Sequence, residues 1–573
     1  MSFWLYLFLV TVISGATGVA VWQLRDRLSY ALSVAVVAGA AIFLIHGRAF
    51  FNHLADDAFI TLRYSRNLAD GQGPVWNAGE RVEGYTAFLW MLLNAGFARA
   101  GLNVVAGALA LSFLVLVASL LLVVGLWRVW SEEEPPGTRL ANPMLPALAI
   151  LVLGLVHGVS FWGFSVMETP LVMTLVTAGV YLHILERRNR APFFASALVF
   201  TAAAMTRPEA LVLVPVTGAF KLGEALVSER RSQALLRVAA WAGLFLALYG
   251  AYFLWRYSYY NYLFPNTYYV KVENTMTILS RGVNYVQVNG LDHQKLPLII
   301  GLGILAVRGR TRADGAYLLA IVAAWYAAVA YEGGDAFVHG RFIVPILPPL
   351  VMGGLYGLAS LLDRVTLAVP RSFAWAAPAF ALGTLLVAAS PWDSGSNPWM
   401  RAEIQAVRDR HELGLWLKEN VPPDYTIAVW AAGAVSYYSE LRSLDLFGLN
   451  DPVIAHTPVA SFGRGVPGHE RYNLDYVLDD VRPQIIVMTD AAPIILTRER
   501  WDEVKPGLIE GVNLMLRDPR LWDQYEPVSV EYERGWFNLA VRKDSLGPFS
   551  GEHQGHAGAS GTTGGGTASH PTP

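Results

Sequence analysis

The sequence predicts an α-helical polytopic membrane protein of about eleven or twelve spans, with an extracytoplasmic α/β domain near its C-terminal end. Of its 573 residues, 54% are hydrophobic and only 15% are charged, whereas soluble domains carry roughly 25% charged residues. Long apolar stretches recur up to about residue 390, and the composition then changes. The absence of cysteine excludes a disulfide scaffold and a cysteine nucleophile. The net charge of -2 argues against nucleic-acid binding.

The apolar stretches define the membrane module, which we place at residues 1–390. Stretches of about 18 residues or more are typical of membrane-spanning helices. They lie at 3–22, 28–47, 104–127, 144–163, 169–186, 235–255, 343–362 and 373–390. Four shorter apolar stretches, at 191–205, 210–220, 296–307 and 316–331, complete the predicted set.

Arginine-rich loops predict the orientation of this module. They alternate along the chain with loops that hold acidic, aromatic and histidine residues. Short loops rich in Lys and Arg usually lie in the cytoplasm. The remaining connections are then outside, namely 48–103, 164–168, 206–209, 256–295, 332–342 and everything after about 391.

Residues 391–547 are predicted to form the outer α/β domain. Helical patterning covers 401–419 and ends before Val421-Pro422-Pro423, and the apolar runs 426–432, 485–489 and 538–542 are typical of strands. The Gly/Ser/Thr/His-rich tail, residues 548–573, is expected to be disordered.

Two adjacent carboxylates, Asp56 and Asp57, follow the second predicted span. Ionisable groups at a membrane boundary are costly to place and point to a functional site. A single carboxylate there could instead cap the next helix, an alternative that explains one aspartate better than two. The same loop carries Arg63. Further along it, Glu80, Arg81 and Glu83 could pair with one another or face a polar ligand.

Further charged residues occupy the ends of other predicted spans. Glu168 lies in Ser165-Val-Met-Glu-Thr-Pro170, and Arg207 and Glu209 lie in Thr206-Arg-Pro-Glu209. Arginine suits a phosphate group, which it can hold through two parallel hydrogen bonds. An internal pair between Arg207 and Glu209 is the alternative.

Two more outer segments combine aromatic and charged residues. Lys271 closes the aromatic segment 257–271, which includes Tyr268 and suits either interfacial packing or a platform for sugar rings. Asp335, His339 and Arg341 fall within seven residues just before a span. The spacing of the Asp, Glu and His residues in these loops matches no standard metal motif. A divalent cation held by Asp56 or Asp57 together with a distant carboxylate stays open. No cofactor is otherwise indicated.

Taken in order, these segments resemble a known family. They are Ala55-Asp-Asp57, the segment 66–86, SVMETPL at 165–171, TRPEALV at 206–212, PNTYYVK at 265–271, GGDAFVHGRFIVPILP at 333–348, FGLNDPVIAHT at 447–457 and Pro467-Gly-His-Glu470. The chain is similar in them to the GT-C superfamily of integral membrane glycosyltransferases, and most of all to the AftB-type mycobacterial arabinofuranosyltransferases and their bacterial relatives. Gly84-Tyr85 departs from the more polar pair of the mycobacterial version.

The resemblance implies an enzyme of the bacterial inner membrane with its active site on the extracytoplasmic face. It would move a sugar, arabinofuranose as the best guess, from a polyprenyl-phosphate donor to a hydroxyl of a cell-envelope glycan, with inversion. The base would be Asp56 or Asp57, with Asp56 preferred. Arg207, Lys271, His339 and Arg341 would bind the donor phosphate. The remaining candidates for sugar or acceptor binding are Arg63, Glu83, Glu168, Glu209, Tyr268, Asp335 and His469.

A transporter or flippase for lipid-linked saccharides is the alternative. Such a protein would also have many spans and buried charges, but would more often show repeated halves and acidic residues inside the membrane. A glycosyltransferase should gather its charges around one cavity that opens outward, whereas a transporter should show a path across the midplane.

Overall fold

The structure is a computed structural model that describes residues 3–50, 54–273, 275–362, 398–489, 492, 495, 497, 500 and 509–549. The predicted span at 373–390 lies outside the described residues, and so does the predicted disordered tail apart from residues 548 and 549.

Helices dominate the first 362 residues. They are α1 (Phe3–Gln23), α2 (Leu28–Phe50), α3 (Asp56–Ala69), α4 (Phe88–Arg99), α5 (Val104–Ser131), α6 (Met144–Leu155), α7 (His157–Gly163), α8 (Thr169–Arg187), α9 (Ala195–Thr206), α10 (Leu213–Val227), α11 (Arg231–Tyr260), α12 (Asn266–Lys271), α13 (Met276–Gly290), α14 (Leu296–Val307), α15 (Arg312–Tyr331) and α16 (Leu347–Leu362). Short 3-10 turns, Pro208–Val212 and Val344–Ile346, lead into α10 and α16.

The membrane-spanning character predicted from the sequence is confirmed. In the described part of the chain, eight helical segments are long and apolar enough to cross a membrane, or nine when α6 and α7 count as one span bent by 64°. The predicted stretches 191–205 and 296–307 form helices of only 12 residues, α9 and α14. At 1.5 Å per residue these reach about 18 Å, less than the hydrocarbon core of about 30 Å.

The helices α8 and α16 lie at the centre of the bundle, where most of their residues are buried. Small residues permit close packing there. A Cβ at Gly301 of α14 would overlap the backbone of Gly354 of α16, and a Cβ at Gly357 would overlap that of Gly301. Such small-residue contacts replace the hydrophobic driving force that helices lack in lipid.

Basic and acidic groups of the arginine-rich loops meet at one end of the bundle. Arg188, just after α8, pairs with Asp314 at 2.8 Å and with Glu133 at 3.2 Å, and Arg308 pairs with Glu134 at 2.7 Å. Glu168 lies at the opposite end of α8, so these arginine-rich loops share one side of the membrane and the acidic loops begin on the other.

The C-terminal part forms a five-stranded mixed sheet. Its elements are α17 (Pro398–Asn420), β1 (Thr426–Val429), α18 (Ala434–Ser439), β2 (Arg442–Asp445), α19 (Pro452–Ala455), a π-helical turn Tyr476–Val481, β3 (Ile485–Val487), α20 (Glu510–Arg517), α21 (Pro519–Gln524), β4 (Tyr525–Tyr532) and β5 (Gly535–Arg542). The strand order is β2-β1-β3-β5-β4, in which β1 is parallel to β2 and β3, and β5 is antiparallel to β3 and β4.

The sheet region, called the outer domain below, docks onto the loop that follows α3. The buried guanidinium of Arg63 donates to the carbonyls of Trp76 at 2.9 Å and Leu441 at 2.7 Å, and to Asn77 Oδ1 at 3.1 Å. The indole N–H of Trp76 donates to the Ser443 carbonyl at 3.2 Å. The first outer loop and strand β2 are therefore joined by buried hydrogen bonds.

A second docking contact explains Gly84. Its N–H donates to the Tyr64 hydroxyl at 2.9 Å, and that hydroxyl lies 3.2 Å from Asn450 Oδ1. A Cβ at Gly84 would overlap Asn450 Oδ1. Only glycine lets this part of the loop approach the outer domain so closely.

We expect Gly84→Ala to weaken this docking. Overpacking a closely fitted contact typically costs about 1–3 kcal/mol, so the melting temperature of the purified protein should fall and protease should release the outer domain faster. The matched control is Gly96→Ala in α4, where a Cβ meets no atom within 4 Å. Equal behaviour of the two variants would contradict the docking contact.

Candidate active site

The carboxylate of Asp56 binds the outer domain. Its two oxygens accept hydrogen bonds from the N–H groups of Gly433 at 3.0 Å and Ala434 at 3.1 Å, where α18 begins. Arg410 Nη1 lies 3.5 Å from the same carboxylate. Burial raises the pKa of Asp56, and Arg410 and the two N–H groups oppose that shift. Asp56 thus acts as the docking point for α17 and α18.

The Asp57 side chain has different neighbours from that of Asp56, because successive residues of a helix point about 100° apart. Its side chain is 27% exposed, and one of its oxygens lies 4.0 Å from Nη1 of Arg341. No hydrogen bond from any described residue reaches this carboxylate. Arg341 is buried and pairs with Asp335 through two contacts, Nη2 to Oδ1 at 2.9 Å and Nε to Oδ2 at 2.8 Å. Asp57 is therefore the open carboxylate of the pair.

Lys271, the last residue of α12, provides a cation beside Asp57. Among the described residues it makes no ion pair and no hydrogen bond. Burial lowers the pKa of its ammonium group, and the nearby charge of Asp57 is the largest opposing influence. The stem of the side chain lies against Gly468, where a Cβ would approach Lys271 Cε to 2.9 Å.

His469 brings the outer domain to the same place. Its Nδ1 lies 3.1 Å from the Pro467 carbonyl, and its ring packs edge-on against Phe447 with centroids 4.6 Å apart. Burial lowers the pKa of His469, and the charges of Asp57, Lys271 and Arg410 act on it. The imidazole thus lies within electrostatic reach of the carboxylate and the ammonium group.

Arg207 lies near Asp57, Lys271 and His469, and two glutamates neutralise its charge. It donates to Glu168 at 2.9 Å and, through two nitrogens, to Glu209. The ring of Phe342 separates the two arginines, 4.4 Å from the guanidinium carbon of Arg207 and 5.0 Å from that of Arg341. The internal Arg207–Glu209 pair considered from the sequence is present.

Comparisons of the whole sequence identify similar proteins. The chain is 28% identical over 382 residues to the terminal beta-(1->2)-arabinofuranosyltransferase of Mycobacterium tuberculosis, covering 64% of this chain and 56% of that one. It is 29% identical over 324 residues to the protein of the same name from Corynebacterium glutamicum, covering 51% and 46%. The chain is related to these arabinofuranosyltransferases. It matches only about half of their length.

Solved structures show the fold. The crystal structure of apo ArnT from Cupriavidus metallidurans superposes with a TM-score of 0.52 at 13% identity, over 90% of this chain and 98% of that one. The Archaeoglobus fulgidus oligosaccharyltransferase, in complex with Zn and sulfate, gives 0.52 at 12% identity over 88% and 73%. The predicted GT-C fold is confirmed. Residues 399–540 also match a family described as a domain of unknown function, DUF8728.

His339 and Arg63, two candidate ligands from the sequence, are packed or hydrogen-bonded within the protein. The ring of His339 packs against His157 and Phe161, with centroids 5.8 Å and 5.1 Å apart. All three guanidinium nitrogens of Arg63 donate to protein oxygens, which leaves none for a sugar. We therefore retain neither as a ligand.

Glu83 and Tyr268 have partners within the protein, and their predicted binding roles remain predictions. Glu83 is buried with Arg256 at 2.7 Å, and burial raises its pKa to about 8. The Glu83–Arg256 ion pair joins the first outer loop to the end of α11. Tyr268 stacks on Phe264 at 4.3 Å, and its hydroxyl lies 3.2 Å from that of Tyr331, so it forms an aromatic ledge one helical turn before Lys271.

Two residues of the site were missed from the sequence. Glu332 lies partly buried beside Glu209 and Arg207, and desolvation raises its pKa well above the usual value. Its position, directly after a span and before Gly333-Gly334-Asp335, was a usable signal. Arg410 carried no local signal, because only the fold brings it to Asp56. Among the described residues, no three His, Asp or Glu side chains converge as a metal site would require.

We expect Asp56→Asn to lower the melting temperature more than Asp57→Asn does. The amide replaces one acceptor oxygen with a donor that faces a backbone N–H or Arg410, and losing a buried charged hydrogen bond costs about 1–3 kcal/mol. The Asp57 carboxylate accepts no hydrogen bond from a described residue and is partly exposed, so it is the matched control. Thermal unfolding of both purified variants is the measurement. A larger loss for Asp57→Asn would contradict the docking role of Asp56.

Proposed function

We propose that the protein is a membrane glycosyltransferase that moves arabinofuranose from a polyprenyl-phosphate donor to a hydroxyl of a cell-envelope glycan. One observation carries the proposal. A partly buried ammonium group, Lys271, without an ion pair among the described residues, lies near an open carboxylate, Asp57, at the end of the membrane bundle. This pairing supports a cation for a phosphate next to a base for a hydroxyl.

Asp57 is the better candidate for the general base. The sequence favoured Asp56, but both oxygens of Asp56 already accept hydrogen bonds from the outer domain. Asp57 is partly exposed and accepts no side-chain hydrogen bond from a described residue, so it can take the proton of an acceptor hydroxyl. A base within hydrogen-bond reach of that proton contributes roughly 10²–10⁴-fold. Asp56 then supports the reaction by fixing α3 and the outer domain in place.

The proposed reaction is a single displacement. The acceptor oxygen attacks the anomeric carbon while its proton passes to Asp57, and the bond between that carbon and the phosphate oxygen breaks. The electron pair leaves with the polyprenyl phosphate, which gains a negative charge. One displacement inverts the anomeric centre. Negative charge near the sugar also favours the developing oxocarbenium ion.

Lys271 is the principal candidate for holding the leaving phosphate. Arg341 is close to Asp57 and can assist, although it already grips Asp335. Arg207 is neutralised by two glutamates, so we propose that it supports Phe342 and Arg341 and does not contact the phosphate itself. Donors positioned before the reaction are worth most where charge develops.

The chemical classes of donor and acceptor come from the relatives. The two matched curated proteins are named arabinofuranosyltransferases, which supports arabinofuranose as the sugar. A second ArnT structure, bound to undecaprenyl phosphate, superposes with a TM-score of 0.50 over 90% of this chain. It supports a polyprenyl phosphate as the carrier.

The charge distribution supports an extracytoplasmic active site in the bacterial inner membrane. The arginine-rich loops gather at the end of α8 that carries Arg187 and Arg188, and such loops face the cytoplasm. Glu168, Arg207 and the aspartate pair lie at the other end. A transporter would instead need a polar path that connects the two ends of the bundle. The arginine-rich group and the group that contains Glu168 are separated by the length of the 19-residue helix α8.

The proposal predicts transfer by the purified protein. Incubation with a panel of polyprenyl-phosphate sugars and oligosaccharide acceptors should give a product with decaprenyl- or undecaprenyl-phospho-arabinofuranose, detected by mass spectrometry. Asp57→Asn should lower the rate at least about 10²-fold, while the matched control Asp475→Asn, at an exposed residue of the outer domain, should retain the wild-type rate. Wild-type activity in Asp57→Asn would reject Asp57 as the base.

Lys271→Met should lower turnover by roughly 10²–10³-fold, the typical effect of removing one positioned donor, because the leaving phosphate loses its cation. Lys271→Arg should restore part of the rate. The control is Lys543→Met, an exposed lysine of the outer domain. Steady-state rates with a polyprenyl-phosphate sugar measure the effect. A change confined to the acceptor KM would place Lys271 in acceptor binding and contradict its phosphate role.

A further inference from the structure

A polar cleft lies between α3 and the outer domain, away from Asp57. Its volume is about 320 Å³, and Arg66, Asp70, Gln72, Ala78 and Arg442 are among the residues that line it. Asp57 and Arg66 are nine residues apart, which places them on opposite faces of the helix. The cleft is therefore separate from the candidate active site.

The floor of the cleft is held rigidly. Arg63 is fully hydrogen-bonded, and its guanidinium carbon lies 4.6 Å from the centre of the Trp76 ring. The Asn67 amide donates to the carbonyls of Val75 at 2.8 Å and Trp76 at 3.0 Å. These buried contacts fix the loop that forms one wall, so the cleft exists before any ligand binds.

The rim keeps unused hydrogen-bonding capacity. The exposed side chains of Asp70 and Gln72 make no hydrogen bond and no ion pair with any described residue. On the rim, Arg66 donates to Glu440 at 3.0 Å through one nitrogen, and Arg442 donates to Glu80 through one nitrogen. Both guanidinium groups retain further N–H donors. The cleft thus presents donors and acceptors side by side.

The charge of the cleft favours an uncharged ligand. Its lining holds three arginines, at 63, 66 and 442, and two carboxylates, Asp70 and Glu440. The charge of Arg442 is offset by Glu80, which lies outside the lining. A phosphate or uronate would disturb that balance. A sugar hydroxyl both donates and accepts, so planar guanidinium, carboxylate and carboxamide groups match pairs of neighbouring hydroxyls without net charge.

We propose that this cleft is a second binding site for a neutral glycan chain, which holds a remote part of the acceptor. This inference rests on the proposed glycosyltransferase function. Asp57 and Asp70 lie thirteen residues apart on α3, about 20 Å along the helix, so a chain of several sugars could occupy both places. Holding the acceptor at a second site raises its effective concentration at the first.

The absence of cysteine allows a specific test. Ala78→Cys, modified with a bulky maleimide, would fill the cleft, and Asp424→Cys, an exposed position of the outer domain, modified with the same reagent is the matched control. With a long arabinofuranose oligomer as acceptor, modification at 78 should raise the KM at least about tenfold. With a disaccharide acceptor, kcat and KM should stay at control values.

Direct binding separates this inference from the proposed function. Calorimetric titration of the long oligomer, without donor, should give at least tenfold weaker binding for the protein modified at 78 than for that modified at 424. An unchanged affinity would overturn the cleft as a glycan site, whether or not transfer is observed. Equal losses with long and short acceptors would also overturn it, because they would show disturbed docking of the outer domain.

Discussion

The hydrogen bonds from Gly433 and Ala434 to the Asp56 carboxylate hold the whole arrangement together. They attach the outer domain to the residue that directly precedes Asp57, so the docking contact and the proposed base occupy neighbouring positions on one helix. Gly433 has no room for a Cβ, which would overlap the Asp56 backbone. The contact also sets where His469 lies, because the outer domain carries that imidazole towards Asp57 and Lys271.

Electrostatics explains why this end of the bundle is suited to an anionic substrate. Arg207 and Arg341 are compensated by Glu168, Glu209 and Asp335. The partly buried Lys271 has no close ion pair among the described residues and only the longer-range attraction of carboxylates such as Asp57 and Asp335. Burying a cation without a close partner costs stability, and such groups cluster at functional sites. A phosphate beside Lys271 would supply the missing partner and remove that cost.

The sequence predicted what depends on local pattern. Long apolar stretches located the spans, and charges at their ends located Asp57, Lys271 and Arg341. It did not predict roles that depend on distant partners. Arg63 was expected to bind a sugar, but its partner Leu441 lies 378 residues away, and Asp56 meets Gly433 377 residues away. Strands β2 and β4 were also missed, since β2 has four residues and β4 contains a proline.

A structure of the protein with a bound polyprenyl phosphate tests most directly the claim that docking assembles one site for phosphate and acceptor. The account predicts the phosphate within hydrogen-bond distance of Lys271 Nζ, near Arg341, with the Asp57 carboxylate and His469 facing the position of the sugar and with Asp56 still bound to Gly433 and Ala434. A phosphate bound away from Lys271, with Lys271 paired directly to Asp57, would contradict it.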